Sequence, residues 1–120
     1  FVKSIGNGAF AQCSSLTSIE IPKGVKKIFE NTFKGCSSLR SVTLPVGDVS
    51  SNKDKDHYTE VYGCIFSGCT ALESVTIPNT VTSISYKAFE NCKSLKTIYG
   101  SSGSFAETWA KENGYQFSVK

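Results

Sequence analysis

The chain lacks methionine altogether, and its 120 residues hold a single His, a single Trp and three Pro. One His leaves no partner for a His-based metal site and little scope for His-driven acid–base catalysis, the commonest route to proton transfer near neutral pH. No segment approaches the ~18 consecutive apolar residues that cross a bilayer, and no basic stretch leads into an apolar run of signal-peptide type. Charge of one sign is scarce as well. The 13 basic and 10 acidic side chains leave a net charge of +3, and the sequence pI of about 8.6 stays below the ~9 expected of a basic nucleic-acid-binding domain. Neither nucleic acid nor a membrane span is expected of this stretch. With no Met and with Phe1 falling inside a pattern, the sequence reads as a piece of a longer protein. What it has in quantity is hydroxyl, 18 Ser and 10 Thr, together with five Cys.

The chain repeats itself. Phe10, Cys13, Leu16, Ile19, Ile21 and Pro22 return 23 residues later as Phe33, Cys36, Leu39, Val42, Leu44 and Pro45. The third copy, Phe66, Cys69, Leu72, Val75, Ile77 and Pro78, follows after 33 residues, which leaves an insertion of ten within 46–57. The fourth returns to the 23-residue step as Phe89, Cys92, Leu95 and Ile98, followed by Tyr99 and Gly100. A fixed period of this length is the mark of a solenoid, whose units bury their apolar faces only by stacking. Within each unit the last two apolar positions lie two apart, on one face of a strand, so Ser18 and Glu20 face outward. Pro22 cannot donate to a ladder and ends the strand. Phe10, Cys13 and Leu16, spaced by three, predict a short helical or 3₁₀ turn on another side of the coil.

The units from Cys13 to Cys36 and from Cys69 to Cys92 resemble the BspA-like leucine-rich repeats, also called the Treponema pallidum type. The C-x-x-L-x-x-I-x-I-P and A-F-x-x-C elements carry the resemblance over residues 1 to 100. Departures are the insertion, Tyr58 in place of an aliphatic residue, and Ile65 where other copies have Ala9, Thr32 or Ala88. The resemblance implies a β-rich solenoid of the leucine-rich repeat class, a right-handed β/α-type superhelix. It also implies an extracellular or cell-surface bacterial protein acting in adhesion, with a host matrix protein or another cell-surface protein as partner, no cofactor and no enzymatic activity.

After Gly100 the period stops. Ser104 and Glu107 form a capping-box pattern, Ala106, Trp109 and Ala110 follow at helical spacing, and Asn113–Gly114 reads as a stop. Tyr115, Phe117 and Val119 then alternate with polar residues as in a half-buried strand. The division expected is a repeat array over 1–100, of about four repeats, and a C-terminal cap over 101–120, with Phe105, Trp109 and Phe117 covering the open core and further repeats lying before Phe1.

Several groups invite chemistry. Cys13, Cys36, Cys69 and Cys92 contain no C-x-x-C pair, so zinc lacks its local signature; the row reads as packed small hydrophobes, with disulfides between neighbours as the alternative. Cys64 stands where the other copies carry Gly8, Asn31 and Lys87, which makes it either an incidental thiol or a reactive one. Asp54, Asp56 and His57 of the insertion could contact a divalent cation, but alternating Lys and Asp describe a solvated loop more simply. Lys23, Lys26, Lys27, Lys34 and Arg40 could attract a sulfated glycan, yet they fall on different sides of the coil with Glu20 and Glu30 among them.

The outward strand positions offer the expected working surface. Ser18, Ser41, Ser74 and Thr97 form one lane, and Glu20, Thr43, Thr76 and Tyr99 a second, across a broad concave sheet of the kind with which repeat proteins bind macromolecules. The function expected is a non-enzymatic protein-binding module. The alternatives are a structural spacer or targeting module for a domain before Phe1, and a thiol or metal function at Cys64 and the insertion.

Overall fold

The computed structural model describes residues 4–5, 9–21, 27–28, 31–44, 60–61, 65–79, 81, 83–84 and 87–120. The strands are β1 (Ser4–Ile5), β2 (Ser18–Glu20), β3 (Lys27–Ile28), β4 (Ser41–Thr43), β5 (Glu60–Val61), β6 (Ser74–Thr76), β7 (Ser83–Ile84) and β8 (Thr97–Gly100), followed by helix α1 (Phe105–Glu112) and β9 (Gln116–Val119). All pairing is parallel. A five-stranded sheet runs β2-β4-β6-β8-β9, and two-stranded sheets join β1 to β3 and β5 to β7 on another side of the coil. Each short strand is the same segment of its repeat, so pairing parallel to its equivalent one coil away is the only arrangement that keeps every copy's apolar side inward. Ser41 pairs with Ser74 in the register that also joins Ser18 to Ser41 and Ser74 to Thr97. Ten extra residues before β6 thus leave the stack in step. The architecture is a leucine-rich repeat solenoid with a C-terminal helix and strand.

The segment leading into each strand repeats a chain of tight turns. Cys36 N–H donates to the Phe33 carbonyl and Leu39 N–H to the Cys36 carbonyl, each at 3.2 Å, with the same pair of bonds in the other three coils. These i→i+3 bonds are 3₁₀-like, as the spacing of three predicts, but they form successive turns and not a helix. Between the Phe and the Cys the backbone passes through the left-handed region at Gln12, Gly35, Gly68 and Asn91, with φ from 62° to 79°. Gly fits two of these four places without strain, and Asn tolerates a third.

Stacking fills the interior with rows of like residues. Phe33, Cys36 and Leu39 are fully buried, as are Phe66, Cys69, Leu72, Val75 and Ile77 in the next coil. The rings of Phe10, Phe33, Phe66 and Phe89 form a ladder with centroids 5.4 Å apart and planes within 6° of parallel, an offset stack. Trp109 of α1 meets Phe89 at 5.6 Å, tilted by 52°, and Tyr115 stacks on Trp109 at 5.4 Å. The helix thus carries the aromatic row over the end of the stack.

Helix α1 ends as Asn113–Gly114 predicts. Gly114 takes φ of +80°, and Tyr115 N–H and Gly114 N–H return to the carbonyls of Ala110 and Lys111, a Schellman motif. Its start differs from a capping box. Ser104 is the N-cap but makes no side-chain cap bond, while the Glu107 carboxylate accepts from Gly103 N–H at 2.8 Å, one residue earlier than the motif requires. Lys111 bonds the same carboxylate from one turn on, and together the Lys111 ammonium and the Gly103 N–H hold Glu107 below the usual carboxylate pKa.

Candidate functional site

The five-stranded sheet presents one face to the core and one to solvent. Ile19, Val42, Val75, Ile98 and Phe117 are paired in register along the inner face. Between them, two outward lanes cross the sheet, Ser18–Ser41–Ser74–Thr97–Gln116 and Glu20–Thr43–Thr76–Tyr99–Ser118. Every member is exposed or half-buried. The eight lane residues expected from the repeat therefore lie side by side at the spacing of paired strands, ~4.8 Å. Gln116 and Ser118 extend each lane by a fifth place that the repeat period could not show, since β9 lies outside it. Alternation marks β9 as a strand but does not reveal its parallel pairing with β8. Nor does it account for Val119, which the alternation places inward and which is 69% exposed at the end of the sheet.

Arg40, Glu73 and Lys96 follow one another at the edge of this face, just before β4, β6 and β8. Backbone bonds tie the row from coil to coil: Arg40 N–H to the Thr17 carbonyl at 2.8 Å, Glu73 N–H to the Arg40 carbonyl at 2.8 Å, and Lys96 N–H to the Glu73 carbonyl at 3.1 Å. Two open grooves flank it. One, of about 610 Å³, is lined by Thr17, Ser18, Ser37, Ser38, Arg40, Ser41 and Ala71. The other, of about 490 Å³, is lined by Glu73, Ser74, Lys93, Ser94, Lys96, Thr97 and Tyr99. Six of the seven residues lining the second groove occupy the repeat positions of the first moved two coils along the solenoid; Ala71 and Tyr99 have no counterpart. At its end Lys120 Nζ sits 4.8 Å over the Tyr99 ring, a cation–π contact.

The cysteine row is structural in a more specific way than packing alone. Cys13, Cys36, Cys69 and Cys92 are free thiols. Each buried one donates to the phenylalanine carbonyl of the coil before it: Cys36 to Phe10 at 3.1 Å, Cys69 to Phe33 at 3.2 Å and Cys92 to Phe66 at 3.1 Å. A repeating apolar position cannot reveal that bond, though a preference for Cys over Ala or Val is its trace. Burial raises the thiol pKa of all three, to about 12 at Cys69, where the charges of Cys92 and Cys36 add to the effect, and to about 11 at Cys92. A thiol kept protonated in this way is a poor nucleophile and a poor metal ligand. Among the described residues no group of three or more His, Cys, Asp or Glu could hold a metal ion. Cys64 and the insertion residues Asp54, Asp56 and His57 lie outside the described residues, as do Lys23 and Lys26 of the basic cluster. Among the described residues no helix is long and apolar enough to cross a membrane.

The family described as BspA type leucine rich repeat region (6 copies) matches residues 48–109. No curated protein matches the chain. Among solved structures, a leucine rich cell surface protein from Faecalibacterium prausnitzii A2-165 is similar over 90% of this chain, with 28% identity and a TM-score of 0.61. The chain spans 31% of that structure's length. A leucine rich repeat protein from T. pallidum shares the fold over 80% of this chain and 51% of its own, at 23% identity and a TM-score of 0.52.

Proposed function

The chain belongs to the BspA-type leucine-rich repeat family, and on that premise we propose that it is a non-enzymatic protein-binding module of a bacterial cell-surface or secreted protein, working in adhesion or host-protein interaction. The observation that carries this reading is the outer face of the five-stranded sheet. Two in-register lanes of small hydroxyl side chains make a flat, soluble platform, and the half-buried Tyr99 supplies the kind of rigid amphipathic anchor on which interfaces concentrate their energy. The similar protein from Faecalibacterium prausnitzii is described as a cell surface protein, which supports the location. We take the array to be 1–100, with its insertion within 46–57, and 101–120 to close it.

Surface plasmon resonance against host matrix proteins tests the reading. Capture is expected to weaken about tenfold in Tyr99→Ala, the scale of a modest hot spot, and to survive deletion of 46–57. Capture untouched by Tyr99→Ala would remove the sheet face as the docking surface. A chain that captures no protein at all would be behaving as a spacer.

A further inference from the structure

At the edge of the sheet face, Arg40, Glu73 and Lys96 are exposed and occupy one repeat position in three successive coils. The backbone bonds between them fix the order of charge along the edge as positive, negative, positive. The two cations stand two coil steps apart, about 10 Å at ordinary interstrand spacing. Each belongs to one of the two equivalent grooves, Arg40 to the first and Lys96 to the second. The lining of both is dominated by hydroxyls, and its only aliphatic side chain is Ala71. Apart from the Tyr99 ring such a surface offers little to an apolar side chain, while its hydroxyls and charges match the hydroxyls and acid groups of sugars.

We propose that this edge binds a linear acidic polysaccharide in which anionic and neutral sugars alternate. Acid groups two sugars apart meet Arg40 and Lys96, and the neutral sugar between them lies over Glu73, whose carboxylate accepts hydrogen bonds from its hydroxyls. Lys93 and the Lys120 held over Tyr99 add positive charge around the second groove. Glu73 is the element of selection. A polymer with an acid group on every sugar would set a negative charge against it, and a compact anion would use one groove and gain nothing from the other. The inference rests on the sheet face being the working surface and names the chemistry of a partner for it.

Calorimetric titration and amide chemical shifts with three hexasaccharides test it: hyaluronan, whose carboxylates fall on alternate sugars, chondroitin sulfate, whose added sulfates put an acid group on every sugar, and neutral cellohexaose. Hyaluronan is expected to bind and to shift the amides of Ser18, Ser41, Ser74 and Thr97, and chondroitin sulfate to bind more weakly, because its sulfated sugar falls on Glu73. Arg40→Gln and Lys96→Gln, both at exposed positions, should each weaken the hexasaccharide about tenfold, the loss of one charge-assisted contact, with an unchanged circular dichroism spectrum. An acidic disaccharide should show no such joint dependence. Binding unaffected by both variants, equal binding of cellohexaose, chondroitin sulfate binding as tightly as hyaluronan or more so, or no binding of hyaluronan would overturn the inference. Matrix proteins stripped of their glycans serve as the parallel arm. If they are captured while the oligosaccharides are not, this inference fails and the protein-docking reading stands; if neither is bound, both fail.

Discussion

Cys69 shows how one side chain can serve packing and bonding together. Its thiol is fully buried and donates to the Phe33 carbonyl at 3.2 Å, so it fills a slot and satisfies part of a backbone acceptor in the neighbouring coil. Alanine removes both contributions and should cost about 1–2 kcal/mol by chemical denaturation. The raised pKa carries a consequence for alkaline stability. Below the ordinary thiol value of 9.0 the group is protonated whether folded or unfolded and adds no pH dependence. Above 9.0 the unfolded thiol ionises while the folded one holds its proton up to about 12, so stability is lost as pH rises through that window. Paired alkaline denaturation of the native chain and Cys69→Ala is therefore expected to show a shallower decline in the variant above pH 9.0. Equal slopes would show that Cys69 keeps its ordinary pKa in the folded state. Gly100 makes a different point. It occupies the position of the buried Ile21, Leu44 and Ile77, and a Cβ there would stand 3.1 Å from the Ala106 Cβ, 3.1 Å from the Ile77 carbonyl oxygen and 3.3 Å from the Phe117 ring. The row loses its side chain because the terminal helix takes its space. Gly100→Val should destabilise by about 1–3 kcal/mol, a penalty of overpacking, seen as a lowered Tm, although valine is otherwise a good strand residue.

Among the elements, the strand of each repeat and its outward positions were legible and the helix start was not, for a physical reason. A strand in a solenoid is specified four times over, by alternation within the copy and by the same alternation 23 residues away, so β2, β4, β6 and β8 fall where Ile19, Val42, Val75 and Ile98 predict. The lanes follow from the same pattern. Helix α1 has no second copy, and its cap is decided by local geometry: Ser104 and Glu107 have capping-box spacing, yet the carboxylate bonds to Gly103 N–H, and the Ser104 Oγ is buried without a hydrogen-bond partner. The grooves too were out of reach of the sequence, since they depend on how far Arg40 and Lys96 stand from the turns of adjacent coils. This geometry reverses the usual ranking of cap substitutions. Removing an N-cap serine ordinarily costs about 1 kcal/mol, but Ser104→Ala deletes an unsatisfied hydroxyl and should be close to neutral in thermal unfolding. Glu107→Ala, which releases both Gly103 N–H and Lys111, should lower Tm further than Ser104→Ala does. The opposite order would show that the serine hydroxyl caps the helix in solution.

At the scale of the whole molecule, the described coils stack each on its neighbours, so burial and stability depend on having one on both sides. Phe33 and Phe66, with a ring above and below, are fully buried, whereas Phe10, with Phe33 on one side, is half-exposed, along with Cys13, Leu16 and Ile19 of the same coil. At the other end, α1 supplies the missing neighbour through Trp109 against Phe89, and β9 supplies it through Phe117 beside Ile98. When residues 1–120 are studied on their own, a nearest-neighbour stack should unfold first from the coil of Phe10, which stacks on a neighbour at one side, rather than from the coil covered by α1 and β9. Native-state hydrogen exchange checks this directly. The amides of Gln12 and Leu16 should exchange well before those of Gly68 and Leu72, which form the equivalent bonds two coils further in. Trp109→Ala then uncovers the Phe89 side of the stack as well. The half-buried ring should cost about 2–3 kcal/mol, less than a fully buried one, but the loss should be uneven. Protection at Cys92 and Leu95 is expected to fall toward that of Cys13 and Leu16, while Cys69 and Leu72 between them keep most of theirs. A uniform fall across all four coils would instead mean that the stack unfolds as a single cooperative unit, and that the aromatic ladder couples its ends more strongly than contact between neighbours alone provides.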